Sequence, residues 1–281
     1  MAPNPRHLIL KFLLGAEGEA MSAREAVAAC ALFGIRENSV RVALVRLAAA
    51  GMIEAAGRGA YRLGANASGL AEDVSTWRVA EARVSVWSGA WIAVYCGALS
   101  RSNRAALSRR DRALELLGFR EIDHECFIRP DNLVGGVAAV RERLYKLGLD
   151  TAAAVFLATE FDAEREARAR SLWDGKALTR SYRKTREQLE AWLQQADALE
   201  PEVAARESFL MGGSAIRQLV FDPLLPDPLV DSAERRAFVD TVLRYDAAGH
   251  LIWRKLHILP ALGADTGSDI GADADTATVS H

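Results

Sequence analysis

The chain has 281 residues, of which 50% are hydrophobic and 26% are charged, and its formal net charge is -2. Because one hydrophobic core rarely serves a chain of this length, two or three domains are expected. The near-zero charge excludes a positive field over the whole molecule, so any nucleic-acid surface has to be local. The cysteines, Cys30, Cys96 and Cys126, lack paired spacing, which favours a reducing cytoplasm over a disulfide framework.

Targeting signals are weak in this sequence. The opening "MAPNPRHLILKFLLG" has an apolar patch interrupted by Lys11 and no small-residue cleavage site, so it is a poor signal peptide. The longest apolar run, around "AWIAVYCGAL", is too short to cross a bilayer. We therefore expect a soluble cytoplasmic protein that does not engage a membrane.

Residues 1–65 predict three helices followed by a two-stranded hairpin. These elements are expected at residues 6–15, 22–34, 37–50, 52–56 and 60–63. Ser22 and Glu25 have the spacing of a capping box, and Gly34 and Gly51 are expected to end the second and third helices. Three helices and a hairpin in this order are typical of a winged helix-turn-helix DNA-binding domain.

The third helix has an unusual exposed arc. Val40, Ala43, Leu44 and Leu47 form its apolar side. The opposite arc combines arginine, asparagine and small or β-branched residues, which suit guanine, adenine and thymine edges in a major groove. With Arg58 at the tip of the hairpin, the predicted DNA contacts are Asn38, Ser39, Arg41, Val42, Val45, Arg46 and Arg58. The alternative is that Arg41 and Arg46 are ion-paired surface residues and the hairpin is structural.

Residues 66–83 predict a connector, and residues 84–162 a second domain. Its elements are a strand at 91–95, a helix at 104–119, strands at 120–125 and 126–130, a helix at 135–149 and a strand at 153–161. The order β-α-β-β-α-β is that of a ferredoxin-like fold.

The remaining chain predicts a helical C-terminal domain at residues 163–260 and a disordered tail at 261–281, which has four Asp and no Lys or Arg. The fold class is therefore α+β, with several domains. Within the helical domain, "FDPLLPDPLV" is stiffened by prolines and is expected to expose Leu224 and Leu225. It is interpreted as a docking or dimer-contact segment, with a plain rigid loop as the alternative.

Three segments of the sequence resemble the PaaX (phenylacetic acid degradation repressor) family of transcriptional regulators. They are "GIRENSVRVALVRLAAAGMIEAAGRGAYRLG", "WSGAWIAVYCGALSRSNRAALSRRDRALELLGFREIDHECFIRPDNL" and "VFDPLLPDPLV". The resemblance implies a winged helix, a ferredoxin-like domain and a helical C-terminal domain. It further implies a homodimeric repressor of catabolic genes that binds double-stranded promoter DNA and is released by an aryl- or acyl-CoA thioester, such as phenylacetyl-CoA.

An arginine-rich stretch between residues 101 and 120 is one candidate binding site for the anionic end of such an effector, because guanidinium groups form bidentate hydrogen bonds with phosphates. Two other interpretations remain open: a solvated basic face, or an extension of the DNA footprint. Trp173 is the tryptophan favoured for an aryl pocket. The effector-site candidates are Arg101, Arg104, Arg109, Arg110 and Trp173.

The sequence predicts neither an enzyme nor a cofactor. The central fold also resembles the small endoribonuclease-like subunit of CRISPR adaptation complexes, but "WIAVYCGALSRSN" lacks the strand-end carboxylate used there for metal-dependent cleavage. His124 and Cys126 lack the spacing of a metal site, and no catalytic residue or metal ligand is assigned. A nuclease-like protein and a winged-helix interaction scaffold remain the alternatives to a regulator.

Overall fold

The computed structural model describes residues 4–16, 18–67, 76–99 and 102–256, so the tail at 261–281 lies outside it. The helices are α1 (Pro5–Gly15), α2 (Ala23–Ala31), α3 (Glu37–Ala49), α4 (Arg104–Leu116), α5 (Gly136–Lys146), α6 (Ala163–Arg170), α7 (Gly175–Gln195), α8 (Pro201–Val220) and α9 (Ser232–Lys255). The strands are β1 (Met21–Ser22), β2 (Ile53–Ala55), β3 (Ala60–Leu63), β4 (Trp91–Tyr95), β5 (Arg120–Asp123), β6 (Cys126–Pro130) and β7 (Ala154–Ala158). Helices and two antiparallel sheets make this an α+β protein.

The N-terminal helices begin and end largely where the sequence predicts. The capping box of α2 is formed, with Ser22 Oγ accepting from Glu25 N at 3.1 Å and Glu25 Oε2 accepting from Ser22 N at 2.6 Å. The helix ends at Ala31, earlier than expected, and Gly34 follows in the left-handed region with φ of 72°. Gly51, with φ of 65°, follows the end of α3 as predicted.

The first sheet has one strand more than the predicted hairpin. Its order is β1-β3-β2, and all neighbouring strands are antiparallel. Met21 pairs with Tyr61 in the added strand. A strand of two residues has no measurable alternation, so the sequence gives no signal for β1.

The core of this N-terminal unit includes side chains from far along the chain. Leu8 and Leu13 of α1 and Leu44 of α3 are buried together with Ala205 of α8 and Trp253 of α9. The N-terminal helices therefore pack on the C-terminal helices as well as on one another.

The central sheet has the order β5-β6-β4-β7, with every neighbouring pair antiparallel. Strand β4 is buried on both faces. Ile92 and Val94 contact the cluster formed with α4 and α5, whereas Trp91 and Ala93 pack in the cluster of the C-terminal helices. Because successive side chains of a strand point to opposite faces of the sheet, alternate residues of β4 enter two different cores.

The proline-rich segment 221–230 connects those two cores, and the prediction that it exposes its leucines is wrong. Leu224 is 6% exposed and packs against the sheet cluster, while Leu225 is fully buried among the C-terminal helices. The apolar side chains are aimed inward because the backbone is held by polar groups. Asn132 Nδ2 donates to Leu224 O at 2.7 Å, and Arg235 donates to Leu225 O.

The C-terminal helices and the connector form a continuous unit. Helix α9 packs against both α7 and α8. From the connector, Trp77 enters the same core, and Glu81 accepts from the buried Arg235 Nε at 2.7 Å. No helix among the described residues is long and apolar enough to cross a membrane.

Arg129 is the buried cation that fixes segment 221–230 to the sheet. It is 2% exposed and donates to Leu117 O, Asn132 Oδ1 at 3.1 Å and Pro223 O at 3.4 Å. Burial lowers the pKa of its guanidinium, but carbonyl acceptors favour the charged form. Removing the cation leaves these acceptors unpaired in the interior.

Arg129→Met is therefore expected to lower the free energy of unfolding by about 1–3 kcal/mol, because buried carbonyl acceptors lose their donor. Urea denaturation followed by circular dichroism measures this. Arg180→Met, at an exposed position of α7, is the matched control and should change the free energy by less than about 0.5 kcal/mol. Equal stability of the two variants would contradict a structural role for Arg129.

Candidate nucleic-acid interface

Helix α3 presents one compact surface to solvent. Its opposite side is anchored because Val40, Ala43, Leu44 and Leu47 are all buried in the N-terminal core. The predicted contact residues on the helix are all exposed: Asn38, Ser39, Arg41, Val42, Val45 and Arg46. The structure therefore brings these six residues together on one helix face.

Two valines on this face are unusual for a solvated helix. Val42 is 42% exposed and Val45 is 68% exposed, although β-branched side chains are mediocre helix formers. Neither residue belongs to the buried core. Apolar groups of this size fit the methyl group of thymine in a major groove.

The two arginines of the surface differ in their partners. The guanidinium of Arg41 lies 2.7 Å from Glu37 Oε1, one helical turn away, and both side chains are exposed. An exposed pair of this kind contributes about 0.2–1 kcal/mol, so DNA can displace it. Arg46 forms no ion pair with any described residue. The interpretation as an ion-paired surface residue thus applies to Arg41 and not to Arg46.

Arg58 projects from the tip of the β2–β3 hairpin. Gly57 and Gly59 flank it with φ of 118° and 73°, a backbone conformation that favours glycine. Across the two strands, Arg62 Nε lies 2.7 Å from Glu54 Oε1, which supports their register. Arg58 itself is exposed and has no ion-pair partner among the described residues. Its position suits a contact with the phosphate backbone.

The described arginines of the arginine-rich stretch have different surroundings. Arg101 lies outside the described residues, and Arg104 and Arg109 are exposed on α4. Arg110 is held internally, at 2.8 Å from Asp111 Oδ1 and 2.7 Å from Glu125 Oε2. Of the four arginines predicted for the effector site, Arg110 is therefore already neutralised by two carboxylates.

Trp173 also has an internal role. It is 7% exposed, stacks on Trp91 with ring centroids 6.0 Å apart, and donates from Nε1 to Gly118 O at 3.2 Å. Neither Trp173 nor any of the described arginine candidates lines the cavity between α1, α8 and α9.

That cavity lies elsewhere, between α1, α8 and α9, and sequence reasoning missed it. Its volume is about 310 Å³. Gly212 and Gly213 inside α8 and Gly249 inside α9 line it. Glycines inside two helix patterns are the one sequence signal that points to such a space, since glycine there costs helix stability.

Groups suited to metal binding or nucleophilic chemistry are scarce in the described part of the chain. No cluster of three or more metal-ligating side chains is present among these residues. Burial raises the pKa of the Cys96 thiol to about 11, so this group remains protonated and weakly nucleophilic near neutral pH.

Two family models match the chain. The model of PaaX-like proteins matches residues 5–67, and the model of the PaaX-like protein C-terminal domain matches residues 173–255. The first range spans α1 to β3, and the second spans α7 to α9. No curated protein matches the sequence.

A solved structure with a similar fold is that of the uncharacterized protein Rv0674 from Mycobacterium tuberculosis. It is 23% identical, with a TM-score of 0.56, and the match covers 88% of this chain and 99% of that chain. Likeness at this identity concerns the fold alone.

Arg46→Ala is expected to weaken binding to the DNA upstream of the protein's own gene by about 1–3 kcal/mol, because a forked contact to guanine is lost. The preference for one base pair should relax at the same time. Fluorescence anisotropy with wild-type and singly substituted duplexes measures both effects.

Arg58→Ala is the comparison variant in that experiment. It should weaken binding to all duplexes alike and lower the salt slope by about one unit, as a phosphate contact does. If Arg46→Ala binds every duplex as the wild type does, the surface of α3 is not the reading surface.

Proposed function

The chain belongs to the PaaX-like family, whose members are transcriptional regulators of phenylacetic acid catabolism, and on this premise we propose that it binds double-stranded promoter DNA through α3 and the β2–β3 hairpin. The observation that carries the proposal is the exposed face of α3. There Val42, Val45 and Arg46 stand in solvent without a described partner that accounts for them. Exposed valine and arginine side chains on one helix face suit contacts with the edges of DNA bases.

In this proposal residues 1–65 act as a winged helix-turn-helix. Support comes from the element order, with α3 as the recognition helix and the hairpin as the wing. Residues 84–162 are assigned to a ferredoxin-like domain, which the strand order β5-β6-β4-β7 and the β-α-β-β-α-β sequence support. Residues 163–260 are assigned to the helical domain, and the helices α6 to α9, between Ala163 and Lys255, support this assignment.

The proposed protein is a repressor released by an aryl- or acyl-CoA thioester, with phenylacetyl-CoA as the first candidate because of the catabolic role of the family. A thioester can lower DNA affinity only if it binds the free protein more tightly than the DNA complex. Linkage then requires that DNA weaken thioester binding by the same factor.

Promoter binding is expected to be specific and to decrease as salt rises, since cations on the protein displace counterions from phosphates. Phenylacetyl-CoA at saturating concentration should weaken it about 5–150-fold, a usual range of coupling. Anisotropy titrations of the full chain with its upstream DNA and with a scrambled duplex measure both effects.

Equal affinity for the two duplexes would contradict sequence-specific regulation and favour a winged-helix interaction scaffold. Unchanged promoter affinity with phenylacetyl-CoA would contradict this effector alone.

The regulator is also expected to be a two-fold dimer, because a single recognition helix makes few base contacts and symmetry doubles them on a near-palindromic site. Sedimentation equilibrium should give twice the monomer mass at micromolar concentration. A monomer mass both with and without promoter DNA would contradict the dimer.

A further inference from the structure

The cavity between α1, α8 and α9 has several aromatic side chains in its wall. Phe12 of α1, Phe209 of α8 and Trp253 of α9 line it, and Trp77 of the connector lines it as well. Its volume of about 310 Å³ is at the lower end of small-molecule sites in proteins, about 300–1,000 Å³. It therefore suits a compact ligand with one or two rings.

Three glycines line the space, but only Gly213 faces α1. A Cβ atom at Gly212 would lie 3.3 Å from Tyr245 Cε1, and one at Gly249 would lie 3.5 Å from Ser208 Cβ, so these two glycines allow α8 and α9 to pack closely. A Cβ atom at Gly213 would lie 3.3 Å from Lys11 Nζ. Each glycine weakens its helix relative to alanine, so the cavity is kept at a cost in stability.

Positive groups cluster at the α1–α8 side of the cavity. Lys11 and Arg217 line it, and neither forms an ion pair with a described residue. Burial and then the charge of Arg217 lower the pKa of Lys11. Burial, Lys11 and Arg217 likewise lower the pKa of His7, which also lines the cavity. These groups therefore repel one another, and no described residue forms an ion pair with Lys11 or Arg217.

Asp246, the carboxylate among the lining residues, already has partners within the protein. Asp246 Oδ2 accepts from Arg78 at 2.7 Å and lies 3.6 Å from His250 Nε2. Its hydrogen bond and close contact are thus with Arg78 and His250, and it forms no ion pair with Lys11 or Arg217. A bound anion is the group that would relieve this repulsion.

We propose that this cavity binds a small organic acid, whose apolar body packs on Phe12, Phe209 and Trp253 and whose carboxylate contacts Lys11 and Arg217. An inorganic anion would leave the aromatic wall uncovered, and a neutral hydrophobe would leave the two cations without a partner. Arg112 and Leu116 of α4 also line this cavity, whereas the effector-site candidates Arg104, Arg109, Arg110 and Trp173 do not.

The ligand would contact α1 on one side and α8 and α9 on the other. Because α1 also packs against α3, a bound acid would hold the exposed face of α3 in one position relative to the C-terminal helices. This consequence for DNA rests on the proposed function, whereas binding of the acid does not.

The test uses calorimetry on the full chain without DNA, with 1-naphthaleneacetate and its neutral amide, 1-naphthaleneacetamide, as probes. They share one aromatic body and differ in charge. The acid should bind with a dissociation constant below about 1 mM. The amide should bind about tenfold more weakly, because the charge-assisted contacts are lost. Undetectable binding of the acid, or equal affinity of the two probes, would overturn the proposal.

Variants locate the site. Lys11→Met should weaken the acid about tenfold and leave the amide unchanged. Lys184→Met, an exposed lysine of α7 outside the cavity, is the matched control and should bind the acid as the wild type does. An equal effect of the two lysine variants would overturn the assignment of Lys11.

Gly213→Leu should abolish binding of both probes by filling the space, and the flexible end of Lys11 can move aside. Ile216→Trp fills the same cavity from another position. Circular dichroism identifies which filling variants are folded. A folded filling variant that binds the acid as tightly as the wild type would overturn the cavity as the site.

The consequence for DNA has its own measurement. Promoter affinity should change when the acid is saturating, and the Gly213→Leu or Ile216→Trp variant should not respond. Unchanged promoter affinity of the wild type with bound acid would overturn the coupling while the calorimetric site stands.

Discussion

Aromatic packing between α1 and the C-terminal helices is the interaction on which the arrangement of this molecule depends. The ring centroid of Phe12 lies 4.4 Å from that of Phe209 and 5.1 Å from that of Trp253. The ring centroid of Phe33, in the α2–α3 turn, lies 5.4 Å from that of Phe209. Such pairs contribute about 0.5–1.5 kcal/mol beyond the area that they bury. The N-terminal unit therefore shares its core with the C-terminal helices.

The shared core determines where the exposed face of α3 points. One side of α1 packs against α3, and Phe12 on α1 contacts the C-terminal helices, so α1 links the candidate reading surface to the rest of the molecule. The cavity lies beside the same helix. A ligand that binds more tightly to one position of α1 than to another would favour that position. Because α1 packs against α3, the candidate reading surface would move with it.

Hydrogen bonds help to join the central sheet to the C-terminal helices. Here the carbonyl groups of segment 221–230 accept hydrogen bonds from Asn132, Arg129 and Arg235, which are themselves buried. Directional bonds of this kind fix the backbone, and the backbone then aims Leu224 and Leu225 into separate cores. The apolar interface beside α1 lacks this directionality, so it is the more adjustable of the two connections.

The sequence by itself determined the local structure and the surface of α3. The capping box of Ser22 and Glu25 and the left-handed Gly51 depend on neighbours within a few residues, so their patterns are readable without a fold. Only the tertiary structure decided which side chains are buried in loops and which distant groups meet. Leu224 was expected in solvent and Trp173 in a pocket, but contacts with residues far along the chain bury both. The cavity likewise needs three helices at once, and periodicity along one helix carries no information about the space between several.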